Sequence, residues 1–408
     1  MTTDLPRLTA EQTAERLGVK LETLYAYVAR GRLSRIRGAG GGSLFDPLEV
    51  ERFAAARRRP PVTGAHGRSD GRPLMVIETS FAGIEDGRLL YRGQDASTLV
   101  MLPFESVAHW ALTGGEGPAA DPDRIPAFRP GAGLDDARRV ADALPSSATH
   151  RDRQQVAVTA LAAADPLRYA LDRDTVVTAA ASLVAGMVEV LPTVRARGGA
   201  SIAERLWMRL TTRPSSPSAV QRLNAALVLL IDHDLAVSTL SARAAASARA
   251  NPYAVVTAGL GALDSPLHGN VSRAAHRMLG RVRAGDDPGR VVSDAVVSGR
   301  APVPGFGQPL YPDGDPRAAV LLGMLDDDPE AGAVAEAVRL VTAVVHARTG
   351  AHPNVDLALA ALALDSGMPD DAGEVVFATA RTVGWIVHAL DEYAQPPLRL
   401  RPVGRYVG

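Results

Sequence analysis

Apolar residues recur every three to four positions from residue 74 to the end of the chain, and this helical periodicity constrains the fold most. Alternation with a period of two is confined to residues 75–78 and 88–92, which we predict as strands. Aromatic residues make up 4% of the chain and hydrophobic residues 46%, so alanine, valine and leucine must fill the core. We therefore predict a mainly α-helical fold of closely packed helices.

Composition excludes several classes of protein and site. The 408 residues include no cysteine, which rules out disulfides, thiolate metal sites and cysteine nucleophiles. The net charge of −1 argues against a chain that is wholly a nucleic-acid binder. The longest largely apolar run, residues 176–188, is too short to cross a bilayer, and residues 1–12 lack the pattern of a secretory signal. We expect a soluble, cytoplasmic protein without a metal ion.

The N-terminal residues have a basic excess that the rest of the chain lacks. Residues 1–60 contain 11 basic and 7 acidic side chains, whereas the remainder contains 33 basic and 38 acidic side chains. A segment rich in proline, glycine and polar residues lies at 60–73 and is predicted to be a linker. Residues 1–59 are therefore predicted to form a small domain of their own.

Helix signals in this small domain predict two short helices, a hairpin and a third helix. Thr9 and Gln12 have the spacing of a capping box, Gly18 ends the first helix and Gly31 ends the second. The glycine-rich stretch 35–43 is typical of a hairpin tip, and residues 45–59 return as a helix. This order resembles the winged helix-turn-helix domain of the MerR/excisionase type.

The resemblance implies a DNA-binding surface. The second helix would enter a major groove, with Arg30, Arg32, Arg35 and Arg37 beside the phosphates. A small helical domain that docks through other surfaces and leaves a solvated basic face is the alternative. The sequence assigns no base-reading residue.

Five segments of the larger region place polar side chains among small or apolar residues. They are IDHDLAVSTLS (231–241), SPLHGN (265–270), PGFGQPLYPDGDPR (304–317), PNVD (353–356) and the C-terminal stretch that contains ATARTVGWIVHAL and LRLRPVGRYVG. Polar groups in such surroundings indicate a site, because they must find partners or ligands there.

The residue types in these segments suit chemistry on a small polycarboxylate. Asp356 heads an apolar stretch, and burial raises the pKa of a carboxyl so that it can act as a general base. His268 lies in a turn whose glycine lets a ligand approach the backbone. Arg317, Arg381 and Arg401 need anionic partners, and guanidinium groups bind carboxylates in a fork.

These motifs, in this order, resemble citrate synthase over residues 74–408. The resemblance implies an almost wholly α-helical, two-domain fold that forms a homodimer. The large domain would comprise residues 74–268 and 368–408. The small domain would comprise residues 269–367 and would close over the substrate.

The implied reaction is the condensation of acetyl-CoA with oxaloacetate to citrate and CoA, with no permanently bound cofactor. Asp356 would remove a proton from the acetyl methyl group, and His268 would stabilise the resulting enolate through its thioester oxygen. Arg401 would reach the site of the partner subunit. The remaining positions that match are expected to bind substrate: His233, Arg317, Arg381 and Arg401 for oxaloacetate, and Asn354 for the acyl-CoA.

Gln308 departs from the family pattern, which usually has a histidine there to polarise the ketone of oxaloacetate. Glutamine can donate a hydrogen bond but cannot release a proton near neutral pH. Lost proton transfer costs on the order of 10²–10⁴-fold in rate. Asn270 and Pro312 also differ from common relatives and bear on CoA affinity, for which Arg348 could compensate.

Several alternatives stay open at this point. Propionyl-CoA could replace acetyl-CoA, as in a 2-methylcitrate synthase, or another 2-oxo acid could replace oxaloacetate. The chain could instead be a DNA-binding regulator whose citrate synthase-like body senses a carboxylate or an acyl-CoA. His352 precedes PNVD and is ambiguous, whereas we interpret the remaining histidines outside the motifs as structural: His109, His276, His346 and His388.

Overall fold

The computed structural model describes residues 5–38, 41–58, 76–119, 121, 127–195, 199–265, 271–299 and 302–406. The chain divides into two compact units. Unit 1 comprises Met1–Ile77 and Val271–Asp365, and unit 2 comprises Glu78–Asn270 and Ser366–Gly408. The predicted linker at 60–73 and the predicted site residue His268 lie outside the described residues. Within the described ranges, no helix is long and apolar enough to cross a membrane.

Helices dominate both units, as predicted, and the strands form two small antiparallel sheets. The strands are β1 (Leu8–Thr9), β2 (Ile36–Arg37), β3 (Ser43–Phe45), β4 (Ala82–Glu85), β5 (Arg88–Tyr91) and β6 (Gln94–Asp95), in the orders β1-β3-β2 and β4-β5-β6. The helices are α1 (Ala10–Leu17), α2 (Leu21–Ala29), α3 (Pro47–Arg58), α4 (Ala96–Leu99), α5 (Phe104–Thr113), α6 (Leu134–Asp142), α7 (His150–Ala164), α8 (Arg173–Glu189), α9 (Ile202–Leu210), α10 (Pro217–Leu229), α11 (Val237–Ser247), α12 (Pro252–Leu263), α13 (Val271–Arg283), α14 (Pro288–Ser298), α15 (Pro316–Asp326), α16 (Gly332–Thr349), α17 (Val355–Asp365) and α18 (Ala372–Tyr393).

The N-terminal part of unit 1 has the predicted order of two helices, a hairpin and a third helix. The Thr9 and Gln12 side chains each accept a hydrogen bond from the other's backbone N–H, at 3.2 and 2.9 Å, so the capping box is confirmed. Gly18 ends α1 with φ of 63°, a left-handed conformation that glycine adopts without strain. β2 and β3 pair as the predicted wing, with Ile36 opposite Leu44.

Helix α3 joins two hydrophobic cores within unit 1. Val50 packs with Leu24 and Phe45 in the small core of the N-terminal part. Leu48, two residues away and fully buried, packs instead into the core that contains residues of α13, α14, α16 and α17. The N-terminal part is therefore continuous in its packing with residues 271–365.

Polar contacts reinforce this packing. Arg16 donates from Nη1 to the carbonyl oxygens of Val296 and Gly299 at the end of α14, at 3.0 and 2.8 Å. Asp46 caps α3 with Oδ1 and pairs through Oδ2 with Arg348, in the last turn of α16. A cation at the C-terminal end of a helix is favoured by the exposed carbonyl groups there. Arg348 is thus engaged by the N-terminal part of its own unit.

Unit 2 is built around α18. All of its residues except Asp391 and Tyr393 are buried, as expected for a central helix with other helices on every side. Gly384 lets α18 approach the end of α10 closely, because a Cβ there would lie 2.1 Å from the carbonyl oxygen of Ile231. The residues that follow Ile231 are thereby held against the middle of α18.

The strand predictions were partly wrong. Residues 88–91 form β5, but its partner is β4, and residues 76–78 are not in a strand. The turn between β4 and β5 consists of Asp86 and Gly87, both with positive φ. Asp-Gly is a favoured sequence for a two-residue hairpin turn, so the sequence did contain the signal for β4.

Candidate active site

In unit 1 the predicted site residues come together because two loops are paired. Phe306 forms an antiparallel bridge with Pro353, and the Gly307 N–H donates to the His352 carbonyl oxygen at 2.8 Å. Asn354 strengthens the pairing, since its N–H donates to Gly305 O at 2.9 Å and its Nδ2 donates to Gly307 O at 3.0 Å. The segment with Gln308 is thereby fixed next to the segment that leads into Asp356.

Asp356 lies in the first turn of α17, where its N–H donates to Asn354 Oδ1 at 3.0 Å. Asp356 is half-buried as a residue, and a base that must meet a substrate requires some accessible surface. Burial raises the pKa of the Asp356 carboxyl to about 7, while Arg317 opposes the rise and Asp315 adds to it. A carboxyl with this pKa exchanges protons readily at neutral pH, as a general base must.

Gln308 is half-buried, and a backbone N–H two residues further on orients its side-chain amide. Its Oε1 accepts a hydrogen bond from the Leu310 N–H at 3.4 Å, and its carbonyl oxygen accepts from the Tyr311 N–H at 2.9 Å. The Nε2 group forms no hydrogen bond with the described residues. Gln308 therefore offers a neutral hydrogen-bond donor to a ligand.

Arg317 is buried, and one edge of its guanidinium is occupied. Nε donates to Asp315 Oδ1 at 3.0 Å and Nη2 donates to Asp315 Oδ2 at 2.8 Å. The sequence predicts a fork for a substrate carboxylate here, but this fork holds Asp315. A substrate carboxylate would have to meet the other edge of the guanidinium, which carries Nη1.

In unit 2 a second set of predicted site residues lies where the end of α10 meets α18. His233 is buried in the turn after α10. Arg381 is buried on α18, where Nε donates to Leu230 O at 2.9 Å and the guanidinium lies 4.6 Å from the Phe377 ring centroid. Asp232 is fully buried; burial raises its pKa, but His388 and Arg381 outweigh burial and hold it below its ordinary value.

His388, which the sequence analysis treats as structural, lies at the centre of a buried ionic network. Its Nδ1 is 2.9 Å from Arg243 Nη1, and because that nitrogen always carries hydrogen, Nδ1 must accept. On the other side of the ring, Nε2 donates to Asp232 Oδ2 at 2.8 Å, because a carboxylate oxygen accepts. Arg243 in turn donates to Glu392, which also accepts from Arg399. The network joins the turn before His233 to the C-terminal segment.

Arg401 lies in that C-terminal segment. Its side chain is exposed and has no hydrogen bond or ion pair with the described residues, so unit 2 does not bring it to Arg381. The structure thus assembles Gln308, Arg317 and Asp356 in unit 1. It assembles His233 and Arg381 in unit 2.

Comparison with known proteins identifies both parts of the chain. The family described as "Citrate synthase, C-terminal domain" matches residues 70–403. The citrate synthase of Haloferax volcanii is 32% identical over 82% of this chain and 94% of its own length. The chain belongs to the citrate synthase family. The family described as "Helix-turn-helix domain" matches residues 7–58, so this citrate synthase homologue has an N-terminal helix-turn-helix domain.

Other relatives of this citrate synthase homologue broaden the comparison. The 2-methylcitrate synthase 2 of Corynebacterium glutamicum is 29% identical over 79% of this chain and 90% of its own length. The structure of the Thermoplasma acidophilum citrate synthase, a ternary complex with carboxymethyl coenzyme A and oxaloacetate, is 24% identical. The matched region covers 84% of this chain and 97% of the Thermoplasma acidophilum chain, with a TM-score of 0.71. That likeness shows a shared fold.

The helix-turn-helix domain of this homologue presents a basic surface. Arg30, Arg32, Arg35 and Arg37 are exposed, and none of their four side chains makes a hydrogen bond or ion pair with the described residues. Tyr25 on α2 is 40% exposed. The packing of α1 and α3 against residues 271–365 therefore leaves this surface accessible.

Proposed function

We propose that the protein is a citrate synthase-type acyltransferase that condenses acetyl-CoA with oxaloacetate. The observation that carries the proposal is Asp356, a half-buried residue at the start of α17 whose carboxyl has a pKa raised to about 7 by burial. Asp356 takes a proton from the acetyl methyl group, and the enolate carbon bonds to the ketone carbon of oxaloacetate. Water then splits the citryl thioester into citrate and CoA.

The other residues bind and polarise the substrates. His268 donates a hydrogen bond to the thioester oxygen on which the enolate charge develops. Gln308 donates to the ketone oxygen through Nε2, and the new alkoxide takes its proton from water, because an amide has none to give near neutral pH. The expected substrate-binding groups are His233, Arg317 and Arg381 for oxaloacetate, Arg401 for the oxaloacetate of the partner subunit, and Asn354 for the acyl-CoA.

The active form is a cytoplasmic homodimer in this proposal. The exposed Arg401 supports it, as do the apolar side chains that follow, since Val403 is 97% exposed and Tyr406 is 91% exposed. Apolar side chains so exposed commonly mark an interaction surface. Sedimentation of the purified protein tests this: a dimer is expected, and a monomer at assay concentration contradicts the role of Arg401.

Release of free CoA thiol in the presence of oxaloacetate tests the reaction. The protein has no cysteine, so a thiol reagent reads only the product. Turnover is expected with acetyl-CoA, and the same assay with propionyl-CoA decides the acyl preference. Asp356→Asn should reduce kcat by about 10²–10⁴-fold. If no short acyl-CoA releases thiol with oxaloacetate, or if Asp356→Asn retains full activity, the proposed reaction is wrong.

Gln308→His tests the account of the ketone. A histidine there can donate both a hydrogen bond and a proton, so kcat should rise and acquire a dependence on the ionisation of the imidazole. An unchanged rate across the pH range would mean that residue 308 does not act on the ketone.

We also propose that the helix-turn-helix domain binds duplex DNA, because four exposed arginines lie around α2 and the wing, and their side chains have no partner within the part of the chain that the structure describes. The double variant Arg35→Gln/Arg37→Gln should weaken binding to a fluorescent duplex probe selected from random sequences. It should also reduce the slope of log affinity against log salt by about one per lost phosphate contact. Arg129→Gln, an exposed arginine of unit 2, is the matched control. Binding that is absent, or equally weakened by the control, contradicts the proposal.

A further inference from the structure

Asp315 is a buried carboxylate that the proposed reaction does not use. It lies directly before α15, and each of its oxygens accepts two hydrogen bonds. Oδ1 accepts from the Arg317 N–H at 3.0 Å and from Arg317 Nε at 3.0 Å. Oδ2 accepts from Arg317 Nη2 at 2.8 Å and from the Val355 N–H at 3.0 Å. A carboxylate has about four acceptor positions, so these four bonds use the acceptor positions of Asp315.

These four bonds tie together two distant segments that the proposed site needs. Arg317 follows Asp315 by two residues, whereas Val355 lies 40 residues further on and is the first residue of α17. Asp356 is the next residue of the same helix. One carboxylate therefore fixes both the orientation of the Arg317 guanidinium and the start of the helix that bears the proposed base.

We propose that Asp315 is a positioning residue. It orients the Arg317 guanidinium and the start of the helix that bears Asp356, and its negative charge offsets the charge of Arg317 at the base. The inference rests on the proposed function, since it assigns Asp356 the role of base. Asp315 does not touch the reacting atoms itself, because all of its acceptor positions are used within the protein.

The charge of Arg317 by itself would favour the ionised form of Asp356. An opposite charge nearby usually lowers the pKa of a carboxyl by one unit or more. Here burial dominates, Arg317 lowers the pKa of Asp356, and Asp315 raises it again. Asp315 thus compensates the guanidinium, and the base keeps a pKa suited to proton transfer at neutral pH.

The test compares the pH dependence of three variants. In Asp315→Asn the negative charge of Asp315 no longer offsets the charge of Arg317, so the acid limb of kcat/KM should move down by about one pH unit or more, and the KM for oxaloacetate should rise about tenfold. In Arg317→Gln the acid limb should move to higher pH, because Asp356 keeps the negative charge of Asp315 nearby but loses the positive charge of Arg317. In the double variant both charges are gone, so the limb should return towards that of the wild type while the KM stays high.

Asp313→Asn is the matched control, because Asp313 is an exposed carboxyl two residues before Asp315. It should leave the pH profile and the KM unchanged. A merely structural role for Asp315 would lower the rate at every pH without moving the limb, and a limb that stays in place in Asp315→Asn would overturn the proposal. If Asp315→Asn does not fold, the comparison of Arg317→Gln with the double variant decides the electrostatic part, because these two differ only at Asp315, and an acid limb at the same pH in both overturns it.

A second measurement separates this inference from the proposed reaction. The carboxyl stretching band of Asp356 can be titrated by infrared difference spectroscopy and assigned by its loss in Asp356→Asn. If the wild type has no turnover, the proposed function fails, but the band must still titrate at lower pH in Asp315→Asn and at higher pH in Arg317→Gln. If turnover is present and the band does not move in either variant, the reaction stands and the role of Asp315 is wrong.

Discussion

Because folding raises the pKa of Asp356, its carboxyl should lower the free energy of unfolding at neutral pH. Replacing the carboxyl should therefore stabilise the protein. The unfolded chain ionises this group near its ordinary pKa of 3.8, whereas the folded protein holds its proton until about pH 7. At 1.36 kcal/mol per pKa unit, the difference corresponds to about 4 kcal/mol. Because Asp356 is only half-buried as a residue, water reduces this figure, and we expect about 2 kcal/mol.

The sign of the effect fixes its pH window. Below pH 3.8 the carboxyl is protonated in both states, so Asp356→Asn should change the free energy of unfolding little. Between pH 3.8 and about 7 the unfolded chain is ionised while the folded protein is not, so the advantage of the variant should grow. Above about pH 7 both states of the wild type are ionised, and the advantage should stay constant.

Urea unfolding at pH 4.5, 6 and 8 measures this directly. Asp356→Asn should be more stable than the wild type by about 2 kcal/mol at pH 8 and by much less at pH 4.5. Glu330→Gln, which removes an exposed carboxyl from the same unit, should track the wild type at every pH. An advantage that does not depend on pH, or a variant less stable than the wild type at pH 8, would show that burial is not what raises the pKa of Asp356.

Three further substitutions test the packing. Leu48→Ala empties a fully buried position and should lower the free energy of unfolding by about 2–5 kcal/mol, whereas Leu21→Ala, at an exposed position, should change it by less than about 0.5 kcal/mol. Gly384→Ala places a methyl group 2.1 Å from the carbonyl oxygen of Ile231, so it should lower Tm and, by displacing the turn that contains His233, weaken oxaloacetate binding. The control Gly261→Ala, in α12 with open space around it, should change neither Tm nor binding. His388→Leu separates two buried charged groups and should destabilise the protein to urea by about 3–5 kcal/mol.

The sequence was sufficient for the parts of the fold and site that depend on local pattern. Helical periodicity identified the main helices, and the spacing of Thr9 and Gln12 identified the start of α1. The order of the motifs identified the family, since each motif is a loop or helix start that the fold requires at one place. Periodicity was misleading only where a strand was short, and there the Asp86–Gly87 turn was the better signal.

What the sequence could not predict depends on which distant groups meet. The sequence suggested that Arg317 would hold a substrate carboxylate in its fork, but Asp315, two residues away, occupies one edge of the guanidinium. His388 looked like an isolated histidine because its partners, Asp232 and Arg243, lie about 150 residues earlier in the chain. Charge pairing of this kind leaves no periodic trace, so it can be found only in three dimensions.

The division at residue 60 was predicted from composition, yet the packing of α3 joins the helix-turn-helix domain to residues 271–365. Leu48 belongs to the core of those residues, so deleting residues 1–59 would expose that core and confuse a loss of DNA binding with a loss of folding. Surface arginines such as Arg35 and Arg37 are therefore the proper probes of the domain. Because Asp46 holds Arg348, eight residues before Asp356, DNA on the wing and an acyl-CoA at the base would act on one folded unit. If either ligand changes the affinity of the other, linkage requires the effect to be the same in both directions.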